Sequence, residues 1–512
     1  MLKKIFLVTS FLIFESLDFY GQSIDSLTHK ELFRPQYHFT AKKGWMNDPN
    51  GLFFYNHTYH NFYQFNPFGN EWGHMSWAHS ISKDLVHWKS LPLAIAEGPD
   101  GMIFSGSIVV DSFNRSGLGA MKGPPPIIAV YTRFVTEKQD QCLAYSLDSG
   151  FTWNKYPKNP ILDLNLKDFR DPKIFWMEKI KAWVMVVSIP FEKKVLFYQS
   201  QNLLNWALAG NYSDPLSDGF WECPDLFPLK TNSLNESGNL KWVLLLSLGQ
   251  KNNSNSPYTR MVYYVGDFNG KQFQTINQNR AISFDFGKDF YAGSTFNGIP
   301  NQRRILFGWM SDWAYGNNVP TTPWKSSQSL PRDLSIKEIN GEFRIFQNPI
   351  QEIKNTRKLI FEAHNTDTKK INQEIKSENI YGKNLEIEIS LYSHKSSLME
   401  IYFRKGTNEF TKLSYNSSKK KLILDRTHSG NSTFDARFPS QESVSINTKK
   451  EILDLDLWID DNSVEIFADG GSAVITDLIF PKSTSQGFSL QNTGTPLLFK
   501  SIKIYQIPSI WQ

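Results

Sequence analysis

The sequence predicts an all-β protein, a five-bladed β-propeller followed by a C-terminal β-sandwich, and three observations carry that prediction. Short apolar runs such as Ile127-Ile128-Ala129-Val130-Tyr131, Trp183-Val184-Met185-Val186-Val187 and Trp242-Val243-Leu244-Leu245-Leu246 alternate with Gly, Pro and Asn turns, with no long amphipathic helix. A carboxylate set one or two residues before a proline, leading into an apolar run, recurs far apart in the chain, at Asp48-Pro49, Asp171-Pro172 and Glu222-Cys223-Pro224. Near residue 358 the composition shifts toward Lys, Glu, Ser and Asn, with clean alternation in Leu385-Glu386-Ile387-Glu388-Ile389.

The chain opens with Lys3-Lys4 and the apolar stretches Ile5-Phe6-Leu7-Val8 and Phe11-Leu12-Ile13-Phe14, which read as a signal peptide over residues 1–21 and predict a secreted or periplasmic protein. No Cys lies near Gly21-Gln22 to carry a lipid anchor, and nothing later reaches about 18 consecutive apolar residues, so no membrane span is expected. A length of 512 residues with 40% apolar content supports two or three full cores. The formal charge of +5 is small and dispersed, and Lys419-Lys420-Lys421 follows Asn416-Ser417-Ser418 as a solvated hairpin tip; nucleic acid is not expected as a partner. With only Cys142 and Cys223, a disulfide framework is excluded and a zinc site is not expected.

The stretch around which the chain is organised is Trp45-Met46-Asn47-Asp48-Pro49-Asn50-Gly51. Pro49 pushes Asp48 toward extended geometry. Asn50-Gly51 reads as a tight turn, with Leu52-Phe53-Phe54-Tyr55 as the strand after it. In isolation this is a turn with a self-bonding Asp. The same construction in Arg170-Asp171-Pro172-Lys173 and Glu222-Cys223-Pro224-Asp225 points instead to a repeat that gathers three acids at one centre.

A second repeat joins Ser82-Lys83-Asp84-Leu85-Val86-His87-Trp88, Ser146-Leu147-Asp148-Ser149-Gly150-Phe151-Thr152-Trp153 and Ser200-Gln201-Asn202-Leu203-Leu204-Asn205-Trp206, with a looser copy at Gly266-Asp267-Phe268-Asn269-Gly270-Lys271-Gln272-Phe273. Each sets an aromatic after a polar turn, at intervals suited to four-stranded blades. About five blades result, over residues 30–345, then a connector over 346–357 and a β-sandwich over 358–512. Val464-Glu465-Ile466-Phe467-Ala468-Asp469-Gly470-Gly471 reads as a strand running into a tight turn.

The acid-bearing stretches, with Phe62-Tyr63-Gln64-Phe65-Asn66-Pro67, Phe104-Ser105-Gly106-Ser107, Asp289-Phe290-Tyr291-Ala292, Gly308-Trp309-Met310-Ser311-Asp312-Trp313 and Ser329-Leu330-Pro331-Arg332-Asp333-Leu334, resemble in order the signature blocks of glycoside hydrolase family 32. The likeness covers most of the chain after the leader and is greatest to the levanase and exo-inulinase type. It implies the propeller and sandwich, and hydrolysis of fructan or sucrose.

Retaining glycosidases need an ionised carboxylate and a protonated one about 5–5.5 Å apart. The resemblance implies Asp48 as nucleophile, Glu222 as acid/base and Asp171 as transition-state stabiliser. Locally, Asn47 and the turn N–H groups would keep Asp48 ionised, and Phe220-Trp221 beside Cys223-Pro224 would give Glu222 an apolar setting. Arg170 is expected to hold Asp171 charged. Trp45, Asn47, Gln64, Trp72, Phe104, Ser105, Arg170, Trp309 and Trp313 match positions that contact the terminal sugar. Neither a metal nor a cofactor is expected. Phe65, Gly293-Ser294 and residues 249–260 depart from the family pattern, and the last two bear on leaving-group preference. Exo-action is expected, with an endo-acting enzyme, a fructosyltransferase of the same fold and a non-catalytic binding propeller as the alternatives; levan against inulin and the oligomeric state stay open.

Overall fold

The computed structural model describes residues 29–231, 240–250, 258–276, 280–392, 397–446 and 451–511. The expected leader, and residues 251–257 of the 249–260 segment, lie outside the described residues.

Five sheets each begin with an inner strand: Gly44–Tyr55, Met102–Val110, Arg170–Met177, Phe220–Lys230 and Tyr291–Thr295. Each inner strand packs on the next, and the fifth returns to the first, which closes a five-bladed ring. Two parallel pairings seal it, Gly44 and Trp45 with Trp324 and Lys325, and Phe53 with Asn297. The blades remain separate sheets, each with an outer edge strand, while their inner strands are packed together around the axis.

The second repeat links the third and fourth strands of its blades. Leu85, Gly150 and Leu203 take the left-handed conformation, and the indoles of Trp88, Trp153 and Trp206 donate back to their carbonyls at 3.1, 3.0 and 3.0 Å. The aromatic thus fixes its own turn.

Asn50-Gly51 does not form the expected turn. The strand continues through it to Tyr55, and the hairpin turns at Asn56-His57, both at positive φ. Gly51 takes a positive φ at a second register break of the strand, and it also allows close approach: a Cβ there would meet Ile108 at 2.6 Å and Trp77 at 3.0 Å. Residues 346–349 are the end of the last blade strand, Glu342–Pro349, so the link to the next unit is shorter than expected and contains the helix Gln351–Lys354.

The second unit stacks a six-stranded sheet on a five-stranded one over a core that includes Ile387, Leu391, Met399, Leu413, Leu453 and Leu457. It also carries the helix Thr368–Ser377, absent from the sequence expectation; Asp367 caps it and Ile371 and Ile375, one turn apart, face inward. The strand Ser463–Ala468 does lead into a turn at Asp469–Gly471.

The two units share a buried polar seam. Arg332 donates to Asp285 at 2.9 Å, Gln347 at 2.7 Å and Thr476 at 2.6 Å, and pairs with Glu465. His38 bridges Asp460 at 2.8 Å and Glu465 at 2.9 Å. Arg426 reaches across to Asp289 and to the Tyr315 hydroxyl at 2.9 Å. Parts of two sequence blocks, Asp289 and Arg332, therefore join the units rather than line a pocket.

Candidate active site

All five inner strands break register at the same level. The irregularities fall between Met46 and Pro49, Ile103 and Gly106, Arg170 and Lys173, Glu222 and Asp225, and Tyr291 and Ser294. An extra residue in a strand re-aims a side chain that the pleat would turn elsewhere. Asp171, Cys223 and Ala292 take positive φ at these bulges, where a non-glycine residue is strained. The prolines at 49, 172 and 224 suit a bulge because they have no N–H to give to the ladder.

The three acids meet at this level. Asp48 accepts from Ser105 Oγ at 2.6 Å and Asn47 Nδ2 at 3.0 Å, and Asn47 is itself held by Trp45 Nε1 at 2.7 Å. Asp171 accepts the Cys223 N–H at 2.9 Å, while its own N–H donates to Thr132 Oγ1 at 2.9 Å. The Cys223 thiol lies 3.5 Å from Asp48 Oδ2 and 3.6 Å from Asp171 Oδ2. Glu222 accepts from Arg170 Nε at 3.0 Å and from the Tyr291 hydroxyl at 2.5 Å.

Two local expectations are corrected and a third is met in part. Arg170 does favour the charge on Asp171, through space rather than by a hydrogen bond; its guanidinium bonds Glu222, Asp168 at 2.8 Å and Gln139 at 3.1 Å. Glu222 is not in an apolar setting: Trp221 turns into the blade core, and the carboxylate, 17% exposed, faces Arg170 and Tyr291. Asp48 is held by Asn47 and the Ser105 hydroxyl, not by turn N–H groups.

Burial pushes the Asp48 carboxyl up, and the bonds from Ser105 and Asn47 oppose it. Burial also raises Asp171; the Arg170 cation pulls back, while Glu222 and Asp48 add to the rise. Burial, then the charges of Asp171 and Asp48, push the Cys223 thiol up, so it stays protonated and can donate to either carboxylate. Burial likewise keeps the Tyr291 phenol protonated as a donor to Glu222.

Aromatic side chains frame the mouth. Trp72 and Trp313, 41% and 38% exposed, stand 6.4 Å apart, and Phe104 lies 6.1 Å from Trp72. Trp45 and Trp309 have no exposed surface; they back Trp313 at 6.0 and 4.7 Å rather than offer a face to a sugar. Gln64 is buried, donating to the Ile103 carbonyl at 3.0 Å. Phe65 packs edge-on to Tyr63, and Ser294 accepts from Lys173 at 3.1 Å.

The tails of two acid motifs also pair. Arg170 with Glu222 and, three residues on, Lys173 with Asp225 at 3.0 Å tie the third and fourth blades on both sides of their bulges. Tyr291 belongs to one of the family-like sequence blocks, where nothing local marks it as a partner of Glu222. Its place at the fifth bulge, equivalent to the acid-bearing positions, was the available signal.

Behind the acids lies a gap of about 20 Å³, bordered by Pro49, Ser105, Asp171, Cys223 and Ala292. A much larger cavity, about 1000 Å³, is bordered by none of the three acids. Among the described residues, the carboxylate group close enough to share a cation is Glu386, Glu388 and Asp456, in the second unit; Arg357 and Lys354 pair with it. Among those residues no helix is long and apolar enough to cross a membrane.

Residues 38–349 match the family model described as glycosyl hydrolases family 32 N-terminal domain, and residues 352–506 the glycosyl hydrolases family 32 C-terminal model. A levanase of Bacillus subtilis is 39% identical over 98% of this chain and 74% of the relative. An extracellular exo-inulinase of Aspergillus awamori is 34% identical over 95% of this chain and 96% of the relative. The crystal structure of exo-inulinase from that organism superposes with a TM-score of 0.86 at 32% identity, covering 94% of this chain and 100% of the other. A fructofuranosidase from Schwanniomyces occidentalis, complexed with fructosylnystose, gives a TM-score of 0.83 at 29% identity, covering 94% and 98%.

Proposed function

The chain belongs to glycoside hydrolase family 32 and is a glycosidase acting on fructosides, and from that premise we propose that it removes terminal fructose from fructan and sucrose by double displacement. Asp48 attacks the anomeric carbon while Glu222 gives its proton to the leaving oxygen. Water then attacks the fructosyl–enzyme ester as Glu222 takes back a proton and Asp48 is released. The observation that carries this reading is the convergence of the three acids on one channel mouth, linked through Cys223 and Arg170.

The division of labour follows from the neighbours. Asp48 must be ionised against the push of burial, and Ser105 and Asn47 supply the bonds that favour its charge. Glu222 is the more exposed acid, which suits a group that meets the leaving oxygen and then water, and Arg170 and Tyr291 fix its orientation. Asp171 is assigned to hydrogen-bond the sugar hydroxyls as charge grows at the anomeric carbon; its closeness to the Cys223 thiol shared with Asp48 supports this.

Exo-action is supported by the shape of the site. The rim of Trp72, Phe104 and Trp313 narrows the mouth, Trp45 and Trp309 fill the space behind it, and the gap beneath the acids holds no sugar. Such a pocket accepts a chain end. Export is supported by the apolar leader, and the Aspergillus awamori relative is described as extracellular.

Incubation with sucrose and with levan, followed over time, tests the proposal. Free fructose should dominate from the first minutes. Early accumulation of mixed oligosaccharides without fructose refutes exo-action, longer products from sucrose indicate transfer, and no product from either substrate refutes catalysis.

A further inference from the structure

Two of the three rings at the mouth, Trp72 and Trp313, come from loops far apart in the chain, and one stretch, residues 312–318, holds both. Asp312 fixes its start. The carboxylate accepts the Thr259 N–H at 2.9 Å, the Thr259 hydroxyl at 3.0 Å and the Ala314 N–H at 2.7 Å. The Asp312 carbonyl accepts the Gly316 N–H at 2.8 Å, which closes a turn with Trp313 inside it. Further on, the Asn317 side-chain oxygen accepts the Trp72 N–H at 3.1 Å, and Lys325 donates to the Asn317 carbonyl. Asn70 donates to the Thr321 carbonyl at 3.1 Å, so the loop that carries Trp72 is hooked on twice.

The same stretch is anchored outward, on the β-sandwich. The Tyr315 hydroxyl donates to Asp289 at 2.9 Å and accepts from Arg426, the residue after the sandwich strand Lys421–Asp425, at 2.9 Å. Asn318 donates to Asp435 at 2.9 Å, and the buried Tyr315 ring packs edge-on to Phe438 at 5.4 Å. A fully bonded buried group rigidifies its surroundings, and a single residue separates Tyr315 from Trp313. Exposed loops are otherwise the least stable parts of a fold, so rings on them keep a fixed arrangement only when held from outside. A rim fixed in advance spares the cost of ordering it on binding. Contacts away from the reacting atoms hold ground state and transition state alike, so their loss falls on KM and not on kcat.

We infer that the β-sandwich positions the substrate-facing rim, with Tyr315 and Asn317 as the positioning residues that pass its hold to Trp313 and Trp72. That these rings meet the substrate rests on the fructosidase reading above; their anchorage does not.

Three substitutions test this. Asn317→Ala removes the acceptor for Trp72, Asn317→Asp keeps one, and Tyr315→Phe removes both hydroxyl bonds while leaving the Arg426–Asp289 pair in place. On sucrose and on an inulin-type tetrasaccharide, Asn317→Ala and Tyr315→Phe should raise KM about threefold to tenfold, with kcat within about twofold of the parent. Asn317→Asp should restore KM. Hydrogen exchange read by mass spectrometry gives a second measure, free of turnover. Protection over residues 66–74 should fall in Asn317→Ala and in Tyr315→Phe, while the sandwich strand Leu385–Tyr392 keeps its own. Unchanged KM, or unchanged exchange over residues 66–74, in Tyr315→Phe would show that the seam only stabilises the fold and overturns the inference. A defect in Asn317→Ala that Asn317→Asp fails to repair also overturns it. If the parent releases no fructose from either substrate, the fructosidase reading falls, and the exchange pattern decides the anchorage by itself.

Discussion

The seam between propeller and sandwich makes stability depend on pH through His38. Burial alone would lower this imidazole, but Asp460 and Glu465 outweigh burial and raise it from 6.5 to about 9. A folded value above the unfolded one means the contribution is complete below pH 6.5 and is lost as pH rises through about 9. The difference between 6.5 and about 9, at 1.36 kcal/mol per pH unit, is roughly 3 kcal/mol. Against burial, Asp460 is held low by His38, and Glu465 by Arg332 first and His38 second, so in acid their share is lost as pH falls through their own depressed values. The perturbation is His38→Gln, which removes the titration and keeps a polar side chain. Urea midpoints of parent and variant should be compared at pH 6 and pH 10, with unchanged slopes as the check on a common transition. The parent's advantage should shrink by roughly 3 kcal/mol across that interval. An advantage that stays constant from pH 6 to pH 10 would show that His38 is not charged in the seam, and the reasoning fails.

Four further outcomes follow from the site. Lys173→Met strands Asp225 in the channel and should destabilise by about 3–5 kcal/mol, with much of the loss recovered in Lys173→Met/Asp225→Leu; denaturation midpoints decide it. Tyr291→Phe removes a hydrogen bond to Glu222, worth about 1.5–3 kcal/mol when one partner is charged, and should lower kcat on sucrose roughly tenfold to a hundredfold while the melting temperature holds. Asp48→Asn and Glu222→Gln should each fold yet lose on the order of 10²–10⁴ in turnover; a fructoside with a good leaving group should spare Glu222→Gln in part, and equal losses on good and poor leaving groups would count against Glu222 as the acid. Exhaustive dialysis against a chelator should leave activity unchanged, and loss restored by one added metal would contradict an all-carboxylate mechanism.

Much of this protein was legible in its sequence because it is built from repeats. Asp48, Asp171 and Glu222 recur at the same place relative to a proline, and a repeat of strand-forming units carries equivalent positions to one axis whatever the loops do. The Ser-to-Trp turns were legible for the same reason, since each is a local bond from an indole to a carbonyl three residues back. What failed were inferences about direction. Asn50-Gly51 has the composition of a turn, but it forms an irregularity within the strand instead, with Gly51 at positive φ and no room for a side chain against Ile108 and Trp77. Arg170 precedes Asp171, yet a bulge separates their side chains, and the guanidinium finds Glu222 across the blade boundary. Trp45 and Trp309 read as sugar-facing rings, but only packing decides which members of an aromatic cluster are left at the surface. The sequence by itself determined the fold class and which acids could react, because local pattern and repetition encode both. The orientation of each carboxylate, the seam through His38 and the second cavity were decided by the tertiary structure, because each depends on side chains far apart in the chain, brought together by closing the ring and docking the sandwich.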